Sequence, residues 1–158
     1  MWTYILKGFH FSFPNFPKLH FGRTKDLCFI VKFDESCIYI PDTNNHTNKL
    51  CGLSFGSHLE NSVRFGWRSD GRKIELMSFV HEDGKFFYNY LASLKVDKAY
   101  KLRISFRNKK SIFYINGLKL GEYVFKKEIF NKIGYYLNPY FGGNPTAPHL
   151  MKIYLKEL

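Results

Sequence analysis

The 158-residue sequence is poor in cysteine, poor in acids and free of long apolar runs, and each shortage excludes something. No stretch reaches the roughly 18 consecutive apolar residues that a membrane-spanning helix needs. Three cysteines, Cys28, Cys37 and Cys51, cannot all pair with one another, and their spacings match no C-x-x-C or zinc-knuckle pattern. Cys28 and Cys51 lie inside apolar runs and read as small core residues, while a Cys28–Cys37 bridge across neighbouring strands stays open. The histidines, His10, His20, His46, His58, His81 and His149, are scattered without metal-ligand spacing. Asp42-Thr43-Asn44-Asn45-His46 would offer calcium a single carboxylate, so no metal and no cofactor is expected. Gly142-Gly143 is no phosphate loop, because no Gly-x-x-x-x-Gly-Lys pattern and no helix follow it. Gly-x-Ser-x-Gly and dinucleotide fingerprints are also missing. The start, Met1 to Lys7, has no basic-then-apolar leader pattern, which implies a cytoplasmic protein or a mature secreted form.

Acids are outnumbered. Thirteen Asp and Glu face 24 Lys and Arg, giving a net charge of +11. The cations are dispersed, with only the pairs Lys109-Lys110 and Lys126-Lys127, so a solvated basic surface is expected and nucleic acid is not the expected partner. An acidic polymer is the alternative that the charge leaves open.

What is abundant is aromatic. Phe, Tyr and Trp make up 19% of the chain, and such rings favour half-buried pleated surfaces. The dominant hydrophobic period is two. In Lys101-Leu102-Arg103-Ile104-Ser105-Phe106-Arg107 the apolar side chains point one way and the polar ones the other. Ile74, Leu76 and Val80 share a face in the same manner. Asn116-Gly117, Asp83-Gly84 and Asp70-Gly71 punctuate such runs, and Asn-Gly is a strong hairpin signal because both central positions need positive φ. Strands are expected near 2–12, 26–33, 36–40, 50–56, 62–68, 73–80, 85–91, 100–107, 111–116, 119–124, 133–138 and 149–156. Phe125 to Asn131 alone looks helical, for a turn or two. So many short strands in residues 1–158 imply one all-β domain of two packed antiparallel sheets.

The stretch from Tyr100 to Tyr123 runs through a basic amphipathic strand, then Phe113-Tyr114-Ile115-Asn116-Gly117, then a strand opening on Leu118-Lys119-Leu120. With a long N-terminal strand, a middle block of hairpins and a returning C-terminal strand, it resembles the concanavalin A-like lectin and glucanase jelly rolls. That resemblance implies a β-sandwich and a glycan or polysaccharide partner. It carries no catalytic assignment. Glucanases of this kind place paired acids on one strand, whereas Lys73-Ile74-Glu75-Leu76-Met77 has one. The His/Tyr/Arg pattern of alginate-lyase-like members is not recognisable either.

Two segments hold the candidate site residues. From Ser54 to Arg68, a strand beginning at Ser62 puts Arg64 and Arg68 on one face and Val63, Phe65 and Trp67 on the other. Arg64 then either pairs with Glu75 of the next strand or joins His58 and Asn61 in a polar cradle for a carboxylate, a sulfate or a sugar diol. Trp67 is either core or a stacking platform. The loop from Leu137 to His149, fixed by three prolines and two glycines, either binds ligand through Tyr140 and Asn144 or forms a corner in which Tyr140 and Phe141 plug the sandwich. The expected function is non-catalytic carbohydrate binding by His58, Asn61, Arg64, Trp67, Tyr140 and Asn144. The first alternative is a hydrolase or lyase of the same fold, with Glu75 as acid/base and His81 or His149 assisting. The second is an interaction domain for protein or acidic polymer. A homo-oligomer is compatible with all three.

Overall fold

The computed structural model describes residues 1–41 and 46–158; Asp42, Thr43, Asn44 and Asn45, and with them the calcium reading, lie outside the described residues. Thirteen strands form two antiparallel sheets among these residues: β1 (Trp2–Ile5), β2 (Ser12–Phe13), β3 (Leu19–His20), β4 (Asp26–Phe33), β5 (Asn48–Ser54), β6 (Ser62–Ser69), β7 (Ile74–Glu82), β8 (Lys85–Leu94), β9 (Ala99–Arg107), β10 (Lys110–Ile115), β11 (Leu118–Val124), β12 (Gly134–Leu137) and β13 (Met151–Glu157). One sheet has the order β11-β10-β9-β4-β13-β1-β2, the other β3-β12-β5-β6-β7-β8. The β-sandwich implied by the two-residue period is therefore present. Its inner faces supply the core, since alternate residues of each strand point to the same side.

Aromatic rings dominate that core. Phe33 packs on Trp67 at 5.2 Å between centroids, Phe65 on Phe113 at 5.3 Å, and Phe55 on Phe106 at 5.5 Å. Each pair joins the two sheets, so the packing that stabilises the fold also fixes the sheets against each other. Leu102, Ile104, Phe106 and Phe113 are buried as their period required, and Ile115 packs half-buried against them. Asp83-Gly84 and Asn116-Gly117 both take positive φ at both positions and close the β7–β8 and β10–β11 hairpins.

Several local expectations fail. The 2–12 run is not one strand: β1 ends at Ile5, and the chain reaches β2 only at Ser12. Residues Glu35–Cys37 form a single 3-10 turn capped by Asp34, whose carboxylate accepts from Ser36 N at 2.9 Å. Phe125 to Asn131 forms no helix; Phe125, Ile129 and Phe130 are driven into the core instead, which overrides a weak local preference. All three cysteines are free; Cys37 is buried with its thiol on Lys152 O, and Cys28 is half-buried rather than core.

Candidate functional site

The outer face of the six-stranded sheet carries a cleft of about 1100 Å³. Its floor follows from strand parity. In β6, Val63, Phe65 and Trp67 turn to the core, so Ser62, Arg64, Gly66 and Arg68 turn outward. Across β7 the register places His81 opposite Ser62, Phe79 opposite Arg64 and Glu75 opposite Arg68. On β8, Phe86 lies opposite His81 and Tyr88 opposite Phe79, making an aromatic wall in which Phe79 and Phe86 stack at 5.9 Å. The other wall is Tyr135 and Leu137 of β12, together with Tyr140 and Gly142 of the loop that follows.

That loop is clamped to β5. Lys49 and Tyr140 exchange backbone hydrogen bonds of 2.8 and 2.9 Å, and Gly142 N donates to Asn48 Oδ1 at 2.6 Å. Tyr140 is stacked on His10 and meets Phe11 edge-on, so the rim of the cleft is rigid and aromatic. Phe11 stays exposed over it.

Arg64 is the centre of this arrangement. It is only 6% exposed, yet among the described residues it makes no hydrogen bond and no ion pair; Nε is buried without a partner. Its one ring contact is Phe79, 5.8 Å from the guanidinium carbon. Burial pulls its pKa down to about 10, so it stays charged at neutral pH. Beside it Lys49 lies half-buried, with Nζ donating to Thr47 O at 3.0 Å and Gly142 O at 3.1 Å and standing 4.9 Å from the Phe79 centroid. Burial, then the Arg64 charge, bring the Lys49 pKa down to about 8. No Asp or Glu lines the cleft among the described residues.

Two histidines flank Arg64. His58 Nδ1 meets the Tyr135 hydroxyl at 2.5 Å, and Ser62 Oγ meets His81 Nδ1 at 3.2 Å. Burial, reinforced by the nearby Arg64 charge, lowers both pKa values, that of His81 to about 4. Both rings are thus neutral at pH 7. A neutral imidazole accepts a proton, and a phenol bonded to another can deliver one.

Of the residues singled out in the sequence, His58, Arg64, Tyr140 and His81 line the cleft. The others are placed elsewhere. Trp67 is 0% exposed and sits among Phe33, Tyr39 and Phe141 in the core, away from the cleft lining. Asn61 is buried, and its Oδ1 accepts from Asp83 N, which makes it a turn-holding residue. Asn144 is exposed and outside the cleft lining. Glu75 does not face Arg64; the register gives it Arg68, whose Nε donates to its carboxylate. His149 Nε2 is bound to Ser36 O, away from the cleft. Glu82 is buried and accepts from Tyr123 OH and Lys126 N. Lys49, Phe79 and Tyr135 were not foreseen. Lys49 and Tyr135 reach the cleft by a strand bulge and by the β12–β5 pairing, neither of which leaves a local signal.

No family model and no curated protein matches the chain. Solved structures do. The chain is similar to alginate lyase AlyC3 (15% identity, TM-score 0.59, covering 96% of this chain and 68% of that one). It is similar to a GH16 protein of the Bacteroides ovatus mixed-linkage glucan locus, solved with a product (8% identity, TM-score 0.61, 99% and 80% covered). A galectin of Caenorhabditis elegans matches over 94% of both chains, at 11% identity and TM-score 0.51. The fold is the concanavalin A-like jelly roll, as the hairpin block had implied.

Proposed function

We propose that the cleft binds an acidic polysaccharide, with a uronate carboxylate on Arg64 and sugar rings against Phe79, Phe86, Tyr88 and Tyr140. One observation carries this reading: a buried guanidinium with no acid beside it among the described residues. Burying an unpaired charge is costly, and replacing such groups by apolar residues is often stabilising. A planar five-donor fork in a cleft fits a carboxylate bidentately. The aromatic walls suit the apolar face of a pyranose. The similarity to an alginate lyase and to a galectin is in keeping with a glycan ligand, and the acid-free lining favours an anionic one over a neutral glucan.

The test is calorimetric titration with oligomers of mannuronate, guluronate and galacturonate beside neutral glucan oligomers of equal length. Binding of a uronate oligomer that is lost in Arg64→Met, with glucans silent, supports the reading. Glucan binding indifferent to Arg64→Met overturns it.

A second reading, β-elimination, is favoured by the neutral bases beside Arg64 and by the Tyr135–His58 hydrogen bond. A base removes the proton α to the carboxylate, the electron pair forms the C4–C5 double bond, and the C4–O bond breaks with a proton delivered to the departing oxygen. Hydrolysis has less support, because its two carboxylates roughly 5–9.5 Å apart have no counterpart among the described cleft residues. Release of an ultraviolet-absorbing unsaturated sugar, lost in Tyr135→Phe, would establish the elimination.

A further inference from the structure

Lys49 is the second cation of the cleft, and its position is built rather than incidental. Across β5–β6 it lies opposite Gly66, just as Arg64 lies opposite Gly52. A Cβ on Gly66 would stand 2.7 Å from the Thr47 side chain and 3.0 Å from Asn48 O, so only glycine lets the 47–49 backbone approach this closely. The bulge between Lys49 and Cys51 turns Lys49 outward while Leu50 and Cys51 stay buried. Two of the three ammonium hydrogens are engaged by Thr47 O and Gly142 O, which leaves one donor for a ligand.

Among the described residues, the surroundings of Lys49 contain no negative group. From β6 it faces Arg64, from β7 His81, and from the chain before β5 His46. His58 also lines the cleft, and the phenols are Tyr88, Tyr135, Tyr136 and Tyr140. Arg64 and Lys49 both stand over the Phe79 ring and repel one another. A ligand with one carboxylate neutralises only one of these charges.

We infer that Lys49 is a second anion subsite, so that the cleft takes a polymer acidic on consecutive units and grips it less as Lys49 loses its proton. This rests on the reading of the cleft as a polysaccharide site. Since Lys49 in the free protein is half-deprotonated near pH 8, a second anion that restores its charge draws about half a proton from solvent at that pH.

The experiment compares a tetramer of consecutive uronates with a tetrasaccharide carrying a single uronate. Both are titrated at pH 6.5, 8 and 9.5, in buffers of different ionisation enthalpy, into the wild type, Lys49→Met and Lys49→Arg, each checked for its fold by circular dichroism. The wild type should bind the tetra-uronate about tenfold tighter at pH 6.5, the worth of one charge-assisted hydrogen bond. That preference should shrink by pH 9.5, and proton uptake should appear at pH 8. Lys49→Met should bring the tetra-uronate to the level of the single-acid ligand. Lys49→Arg should keep the preference at every pH, because arginine does not titrate there. Equal wild-type affinities that still depend on Arg64 overturn this inference alone, as does a preference surviving in Lys49→Met. Silence toward every uronate overturns the polysaccharide reading, and this inference with it.

Discussion

Gly52 lies directly opposite Arg64 across the β5–β6 pair, and a Cβ on it would fall 2.4 Å from Arg64 Cβ and 2.1 Å from Val63 O. The strands can therefore approach only because residue 52 has no side chain. That approach seats the guanidinium on the cleft floor. Gly52→Ala should destabilise the fold by about 1–3 kcal/mol, as overpacking does. Denaturant melts read the loss of stability, and uronate titration should show a weakened site in the folded fraction.

Arg64→Met should do the reverse to stability. Removing a 6%-exposed charge that has no partner among the described residues stabilises by about 1–3 kcal/mol. For a domain of about 150 residues each kcal/mol raises the melting temperature by about 2–4 °C. A higher melting temperature with uronate binding lost is the signature of a residue kept for function. A lower melting temperature would mean that Arg64 is a structural group.

Acid should weaken the fold through His81. Its pKa falls from 6.5 in the unfolded chain to about 4 in the folded protein, chiefly by burial. Between those values the unfolded chain binds more protons, so stability rises with pH through this window. The His81 contribution is complete above pH 6.5 and is lost as pH falls toward 4. In His81→Asn, thermal melts taken across this range should show a flatter pH dependence than the wild type.

Glu75→Gln should leave glycan affinity unchanged. Its carboxylate serves Arg68, outside the cleft, and both side chains are partly exposed. The expected cost to stability is about 1 kcal/mol or less, measured by chemical denaturation. Loss of a sugar-cleaving activity in this variant would instead return Glu75 to the role of acid.

Trp67→Ala should cost about 3–5 kcal/mol, the usual range for emptying a buried aromatic site. Its ring lies against Phe33, Tyr39 and Phe141, and Phe141 belongs to the loop that carries Tyr140. Trp67→Phe keeps most of that packing and should retain glycan affinity. Direct loss of affinity in a well-folded Trp67→Phe would place the indole at the ligand after all.

The sequence by itself determined the sandwich. Alternation in β6, β7, β9 and β10 assigns each side chain to the core or the outside, and Asp83-Gly84 and Asn116-Gly117 close hairpins where positive φ is needed. These are local properties, carried by neighbouring residues. It also put Arg64 outside and left Trp67 two ways open, because parity gives the face of a residue but not what covers that face. Only the tertiary structure decided the partners. Which residue of β7 meets Arg64 depends on the β6–β7 register, and a shift of four residues separates the observed Phe79 from the expected Glu75. Phe125 to Asn131 failed as a helix for the same reason: three apolar side chains found more burial in the core than a short helix offers in backbone bonds. The cleft itself joins β5, β6, β7, β8, β12 and the loop after β12, strands far apart in the chain. Lys49 and Tyr135 enter it because of strand pairing and a one-residue bulge, relations between distant segments that no window of sequence contains.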